Sequence, residues 1–229
     1  MPETRLKPVI DRAEIGPHTH VLPSPISEGA PTTDWRLRLP VLIGERVRLR
    51  ELRLSDAAPL LSMLASHEIT RFISPPPTTR EGYERFIDWA LRQRTAGKHA
   101  GFAVTLHDSE IPVGIFQVTQ LAGSFETAEW GFVIEPAFWG AGLFLEGAQL
   151  LLDFVFNTIG VHRLEARAAI LNGRGNGALL KVGAVQEGIL RKAFLRNGRA
   201  FDQVLYSILR DDWRVSRVAP RLVHHPRVH

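Results

Sequence analysis

The chain of 229 residues contains no cysteine. That absence excludes disulfides, thiolate metal sites and a cysteine nucleophile together. No apolar run approaches the roughly 18 residues of a membrane-spanning helix, so none is expected. The first residues lack the apolar core of a signal peptide, being broken by Pro8, Asp11, Arg12, Glu14 and Pro17, and the expected location is the cytoplasm. No Gly-Lys-Ser/Thr phosphate loop and no His-Glu-x-x-His zinc pair occurs, and no metal site is expected. His224-His225 is a weak metal signal standing alone. The charge surplus is small, 28 basic against 24 acidic residues, or +4. After Asp212 the chain carries Arg214, Arg217, Arg221 and Arg227 and no acid, so this tail alone equals the surplus. A basic tail can touch RNA or an acidic partner, or it can be a solvated end. Without aromatic residues interleaved among the basic ones, a nucleic-acid surface is not expected. What is present, 45% apolar residues with a mean hydropathy of −0.04, is the composition of an ordinary globular protein.

Residues 1–40 hold Pro2, Pro8, Pro17, Pro23, Pro25, Pro31 and Pro40 with few periodic apolar positions. Such a stretch buries too little to offset ordering, so it reads as an arm, with Trp35, Leu37 and Leu39 alternating at its end. A domain is expected over 41–213 and a basic tail over 214–229. Arg46–Arg50 alternates as a strand. Ser55-Asp56 caps a helix to about Ser66, with Leu60, Leu61 and Leu64 inward. Thr78 with Glu81 is a capping-box pattern for a helix ending at Gly97. Phe102–Leu106 and Ile111–Val118 read as a hairpin, Arg163–Ala168 as a strand. Asn172–Gly177 reads as a turn before a short helix over Ala178–Val182. Val185–Leu195 and Ala200–Leu209 flank Asn197-Gly198, a strong hairpin signal. The fold class is α/β (α+β): a mixed, largely antiparallel central sheet flanked by helices, with one helical crossover near its middle.

That crossover organises the rest. Glu129–Ile134 reads as a strand ended by Glu135-Pro136, and Phe138-Trp139-Gly140-Ala141-Gly142-Leu143 is a short glycine loop. Leu145, Ala148, Leu152, Phe156 and Ile159 then recur at helical spacing. Strand, glycine loop and helix in that order place free amides and a positive dipole end together, which suits a phosphate. A glycine pair before a helix also occurs as a plain tight turn. Glu129, a carboxylate heading this strand, is the candidate general base, or else an ordinary strand residue facing solvent. His67, Glu68 and Arg71 lie on or just after the first helix and read as a polar helix end.

Taken together, Ala128-Glu129-Trp130-Gly131-Phe132, Gly140-Ala141-Gly142 followed by Glu146, His162-Arg163-Leu164-Glu165, Asn172 before Lys181-Val182-Gly183-Ala184, and Glu187-Gly188-Ile189-Leu190-Arg191 resemble the GNAT N-acetyltransferases. Within them they are most similar to the branch that acetylates N-termini of ribosomal proteins. The resemblance runs from about Val41 to Trp213.

It implies acetyl-CoA as acyl donor. The pyrophosphate would lie on the amides of Phe138, Trp139, Gly140, Ala141, Gly142 and Leu143, and the pantetheine along the strand at Val133 and Ile134 and against Asn172. The oxyanion would meet a backbone N–H near Val133 or Ile134. As the alternative to a polar helix end, the resemblance puts His67, Glu68 and Arg71 near the acceptor cleft. Several positions depart from the family pattern. Ala137 and Ala141 stand where the family often has a polar or basic residue, which leaves the phosphates to amides and the helix dipole. Gly175 and Leu179 stand where relatives carry a serine or tyrosine acid. The implied activity is direct transfer of acetyl to a primary amine. A protein N-terminus, such as that of a ribosomal protein, is the leading acceptor, with a polyamine- or aminoglycoside-type amine as the alternative. A non-catalytic acyl-CoA-binding module is the rival from another class. A homodimer is compatible with the sequence.

Overall fold

The computed structural model describes residues 34–121 and 123–218, with side chains to 215. The expected arm up to residue 33, and the tail beyond 218, lie outside the described residues.

Among the described residues eight strands form one sheet in the order β1-β2-β3-β4-β5-β6-β8-β7. They are β1 (Leu42–Ile43), β2 (Val47–Glu51), β3 (His99–Leu106), β4 (Pro112–Leu121), β5 (Ser124–Ile134), β6 (Arg163–Ala169), β7 (Val185–Arg196) and β8 (Arg199–Leu209). All neighbours are antiparallel except β5 and β6. That one parallel pair needs a crossover, which α4 (Leu143–Phe154) and a π-helical turn (Val155–Ile159) provide. At the β7–β8 hairpin Asn197 and Gly198 both take positive φ, 49° and 73°, as a tight two-residue hairpin turn requires.

Side chains alternate across the sheet and so divide it into two faces. On one face Phe116, Trp130, Phe132 and Phe144 form an aromatic cluster under α4, with ring centroids 4.6–6.3 Å apart. The helix comes close there because Gly147 has no side chain: a β-carbon would lie 3.0 Å from Phe116 Cε2. The other face is covered over β3 and β4 by α1 (Ala57–Met63) and α3 (Arg80–Thr95), which bury Leu60, Met63, Tyr83 and Ile87 on Ala103 and Ile115. The face of β5 and β6 beside them stays open.

Several expected boundaries shift. The first helix stops at Met63, and a separate four-residue helix, α2 (His67–Thr70), follows. Asp56 does not cap α1 through its side chain, because its carboxylate is taken by Arg50 at 2.7 and 2.8 Å and by the Arg53 amide at 2.8 Å. The cap of α3 is Thr79 rather than Thr78, its hydroxyl accepting from the Gly82 amide at 3.1 Å. Residues 173–177 are the first turns of α5 (Gly173–Lys181), not a turn. Asn172 caps that helix by accepting from the Gly175 amide at 2.9 Å, which offsets the weak helix propensity of three glycines. Trp35 and Leu39 are buried, Trp35 edge-on to Phe125 at 5.3 Å, while Leu37 is exposed, so packing into the body begins before Val41. Helix α6 (Arg210–Val218) takes up the start of the tail, and Trp213 is buried with its indole N–H on Asp153 Oδ1 at 3.0 Å.

Candidate active site

Strands β5 and β6 pair over three residues only, Thr127–Glu129 against Arg163–Glu165, although both continue beyond. They part like the arms of a fork, and an open cleft of about 570 Å³ fills the gap. Trp130–Val133 form one wall; Arg167, Ala168, Asn172, Gly175 and Leu179 form the other. Hydrogen bonding follows from strand alternation. The Glu135 amide bonds Val113 O and the His162 amide bonds Glu126 O, so odd residues of β5 face β4 and even ones face β6. The amides of Trp130, Phe132 and Ile134 therefore point into the fork, whereas that of Val133 belongs to the β4 ladder. Of the two amides expected near an oxyanion, the alternation leaves Ile134's available. Val133 offers its side chain to the cleft instead.

Glu129 stands at the apex of the fork, opposite Thr119 on β4 and Glu165 on β6. Its side chain is 37% exposed and lies 3.7 Å from Arg167 Nε. Glu165 is engaged by Arg163 at 2.9 Å. Among the described residues no hydrogen bond engages the Glu129 carboxylate, and its one ion-pair contact is the long one to Arg167.

The glycine loop lies between β5 and α4. A 3₁₀ turn, Pro136–Phe138, leads into it, and Trp139 anchors it by donating its indole N–H to Ile134 O at 2.7 Å. Gly140 and Gly142 both have φ of 80°, a left-handed backbone that glycine adopts without cost. Gly142 is the N-cap of α4. Among the described residues the loop's backbone hydrogen bonds do not use the amides of Gly140, Ala141, Gly142 or Leu143. The Leu143 side chain is buried in the core, as is that of Ile134, so both residues can offer only backbone groups.

Two arginines reach this loop. Arg46, at the start of β2, donates from Nη1 to Ala141 O at 2.8 Å and from Nε to Glu146 at 3.0 Å. Glu146 also accepts from the Arg46 amide at 2.8 Å. Partial burial pushes its carboxyl up, but these bonds hold it below the usual carboxylate range. The Arg174 guanidinium lies 4.1 Å over the Trp139 ring. Neither cation was legible in the loop's own sequence, because one arrives from 95 positions upstream and the other from α5.

A family model described as "Acetyltransferase (GNAT) domain" matches residues 46–185, more than half of the chain. The chain belongs to the GNAT acetyltransferase family. The uncharacterised N-acetyltransferase YoaA of Bacillus subtilis (strain 168) is 28% identical over 176 residues, covering 75% of this chain and 97% of YoaA. The ribosomal-protein-S5-alanine acetyltransferase from Vibrio fischeri shares the fold at a TM-score of 0.69 and 20% identity, over 76% of this chain and 98% of its own. Mycobacterium smegmatis RimJ, solved in complex with CoA-disulfide, does so at 0.67 and 22%, over 72% and 83%.

Against other members of the GNAT family the two absent acids stand out in space as well as in sequence. Gly175 and Leu179 both line the cleft, and neither carries an O–H. A β-carbon on Gly175 would lie 2.5 Å from Asn172 Nδ2, so the Asn172 amide occupies the room a serine at that position would need. The hydroxyls lining the cleft are Ser74, Tyr83 and Thr119. Thr119 is paired with the buried His99, Oγ1 to Nδ1 2.9 Å, and burial pushes that imidazole down to about 4. Tyr83 is fully buried; its hydroxyl has no hydrogen-bond partner among the described residues, and burial pushes it up to about 12. Spacing gave no hint of Tyr83, which reads as one more apolar position on α3.

The remaining candidates separate. His67 and Arg71 line a second cleft beside the first, while Glu68 does not. His162 is exposed, and its backbone ties Glu126 to Arg210. His224 and His225 fall outside the described residues, and no described helix is long and apolar enough to cross a membrane.

Proposed function

We propose that this GNAT protein transfers the acetyl group of acetyl-CoA directly to a primary amine, most specifically the α-amine of a protein N-terminus. The observation that carries the reading is the fork: at its apex a carboxylate that accepts no hydrogen bond among the described residues and has Arg167 3.7 Å away, a polypeptide edge with unpaired amides along one arm, and a glycine loop beyond it. The residues fit the donor. The amides of the Gly140–Leu143 loop, the α4 N-terminus, Arg46 and Arg174 would hold its phosphates. Trp130, Phe132 and Ile134 amides and the Asn172 side chain would line its pantetheine arm.

Glu129 takes a proton from the acceptor ammonium, directly or through water, so that a neutral amine attacks the thioester carbon. An α-amine has a pKa of about 8, so the help needed is modest. The Ile134 N–H faces the developing oxyanion. Glycine at 175 and leucine at 179 leave the positions of the family serine and tyrosine without an O–H, and the Asn172 amide meets the sulfur as a hydrogen-bond donor rather than a proton source. The N-terminal acceptor rests on the resemblance to enzymes of ribosomal proteins, and on an acceptor side that is an open cleft rather than a closed cavity.

The test is thiol release from acetyl-CoA with peptides beginning with different residues, run beside spermidine and an aminoglycoside. Turnover confined to the small amines would move the acceptor to that class. Binding of acetyl-CoA with no turnover on any amine would make the protein a binding module.

A further inference from the structure

Next to the fork lies a smaller cleft of about 380 Å³, and Phe72 and Phe194 line both. One side is the end of α2 with Arg71; the other is the β7–β8 hairpin with Arg196 and Arg199 on either side of its turn. Phe72, Phe194, Phe201, Ala169 and Leu171 make the rest of the wall largely apolar, with His67 and Asn197 beside them, and no carboxylate lines it.

Several arginines of the body are held in ion pairs: Arg48 by Glu110, Arg50 by Asp56 and Arg163 by Glu187. By contrast Arg71, Arg196 and Arg199 have no ion-pair partner among the described residues. The one carboxylate on the neighbouring part of β8, Asp202, is turned to Lys192, accepting from its amide at 2.9 Å with its ammonium 3.8 Å away. Arg71 lies against Phe72, 4.5 Å over the ring, and Arg196 Nε is buried without a partner. Three like charges on one wall with no carboxylate among them make the cleft electropositive, which attracts an anion from outside.

We infer that this cleft receives acidic side chains of the acceptor, so that the substrate is a polypeptide carrying Asp or Glu shortly after its N-terminal residue. The inference rests on the acetyl-transfer reading for the orientation: the α-amine enters the fork towards Glu129, and the following residues run over Phe72 and Phe194 into the arginines. A peptide has the length to occupy two clefts that share a wall, whereas a free amino acid fills one. Polyamines and aminoglycosides meet the cleft with the wrong sign.

The experiment measures binding first and turnover second. Peptides labelled at the C-terminus, one beginning Ser-Asp-Glu-Asp and one Ser-Lys-Lys-Lys, are titrated by fluorescence anisotropy in the presence of CoA, with free aspartate as competitor. The acidic peptide should bind at least about tenfold tighter, with the gap narrowing as salt rises. Arg196→Glu with Arg199→Glu should abolish or invert the preference. If that pair fails to fold by circular dichroism, Arg71→Gln with Arg199→Gln, both exposed, should still shrink it. Equal or better binding of the basic peptide, or a folded charge-reversed variant that still prefers the acidic one, overturns the inference. So does free aspartate competing as well as the peptide. Charge-selective binding without thiol release supports this cleft and sinks the transferase reading. Thiol release indifferent to acceptor charge does the reverse.

Discussion

Gly142→Asp tests the phosphate site most sharply, because the structure separates its effects. At a φ of 80° a β-carbon costs about 1–2 kcal/mol in backbone strain. In a domain of this size that lowers the melting temperature by roughly 2–8 °C. The new β-carbon would lie 2.9 Å from Arg46 Nη2, a flexible group that can shift and then pair with the added carboxylate. The variant should therefore stay folded. Binding is another matter. A carboxylate about 4 Å from a phosphate oxygen is repelled by about 1 kcal/mol in water and about 4 kcal/mol at an effective dielectric of 20. That range corresponds to about 5-fold to 1000-fold in Kd, and diversion of Arg46 acts in the same direction. Gly140→Ala is the control: its φ is also 80°, and nothing lies within 4 Å of its β-carbon. Calorimetric titration with acetyl-CoA and thermal melts on both variants give the answer. Similar melting points with binding lost only in Gly142→Asp are expected. A folded Gly142→Asp that binds acetyl-CoA as tightly as the parent would refute the assignment of the loop.

Glu129→Gln should lower kcat/KM by about 10²-fold, the low end for loss of a general base, with the deficit largest at neutral pH and shrinking as the free amine accumulates above about pH 8; a uniform deficit across pH would make Glu129 a positioning residue. Asp56→Ala removes the bidentate partner of Arg50, both side chains being at least 95% buried. Of its carboxylate partners among the described residues Glu110 remains, 3.2 Å from Arg50 Nε, beside the carbonyls of Glu51 and Glu110, so urea denaturation should show a loss of about 3–5 kcal/mol. A loss below about 1 kcal/mol would mean that Glu110 compensates. His99 protonates near 6.5 when unfolded and near 4 when folded, so the unfolded chain binds the extra proton between those values. Its contribution is complete above pH 6.5 and lost as pH falls towards 4, on the order of 3 kcal/mol in total. In His99→Gln that step in stability against pH should vanish; an unaltered acid limb would show that the imidazole titrates freely.

The parts of the fold visible in the sequence are those encoded locally. Alternation over Arg163–Ala168 and the Asn197-Gly198 pair were enough to place a strand and a hairpin, because a two-residue period and a positive-φ turn are short-range requirements. The glycine loop was visible for the same reason. What was hidden depends on partners. Asn172–Gly177 looked like a turn because three glycines weigh against helix, and the side-chain cap that outweighs them cannot be weighed from composition. Asp56 looked like a helix cap because nothing nearby shows that Arg50 claims its carboxylate. Glu129 stands out in the sequence by its place at the head of the central strand, but the long contact with Arg167 that it shares with Glu165 depends on the pairing of β5 with β6.

The division of the sheet explains why the chemistry sits where it does. Trp130, packed against Phe116 and Phe144, fixes β5 to the helix-covered face, and the alternation that buries it turns Glu129 and Gly131 to the open face. The same alternation sends the even-numbered amides of β5 towards a neighbour that is no longer there once β6 has turned away. Unpaired amides on a buried strand ordinarily cost stability, and proteins avoid them. Here the cost is confined to a short segment, next to the aromatic cluster of Phe116, Trp130, Phe132 and Phe144. On the proposed reading this unmet hydrogen-bonding capacity is the site itself, since an extended amide-bearing chain such as a pantetheine arm can complete the ladder that β6 abandons. The fork thus draws its rigidity from one face of β5 and its binding edge from the other, which is why three paired residues at the apex suffice to hold Glu129 in place.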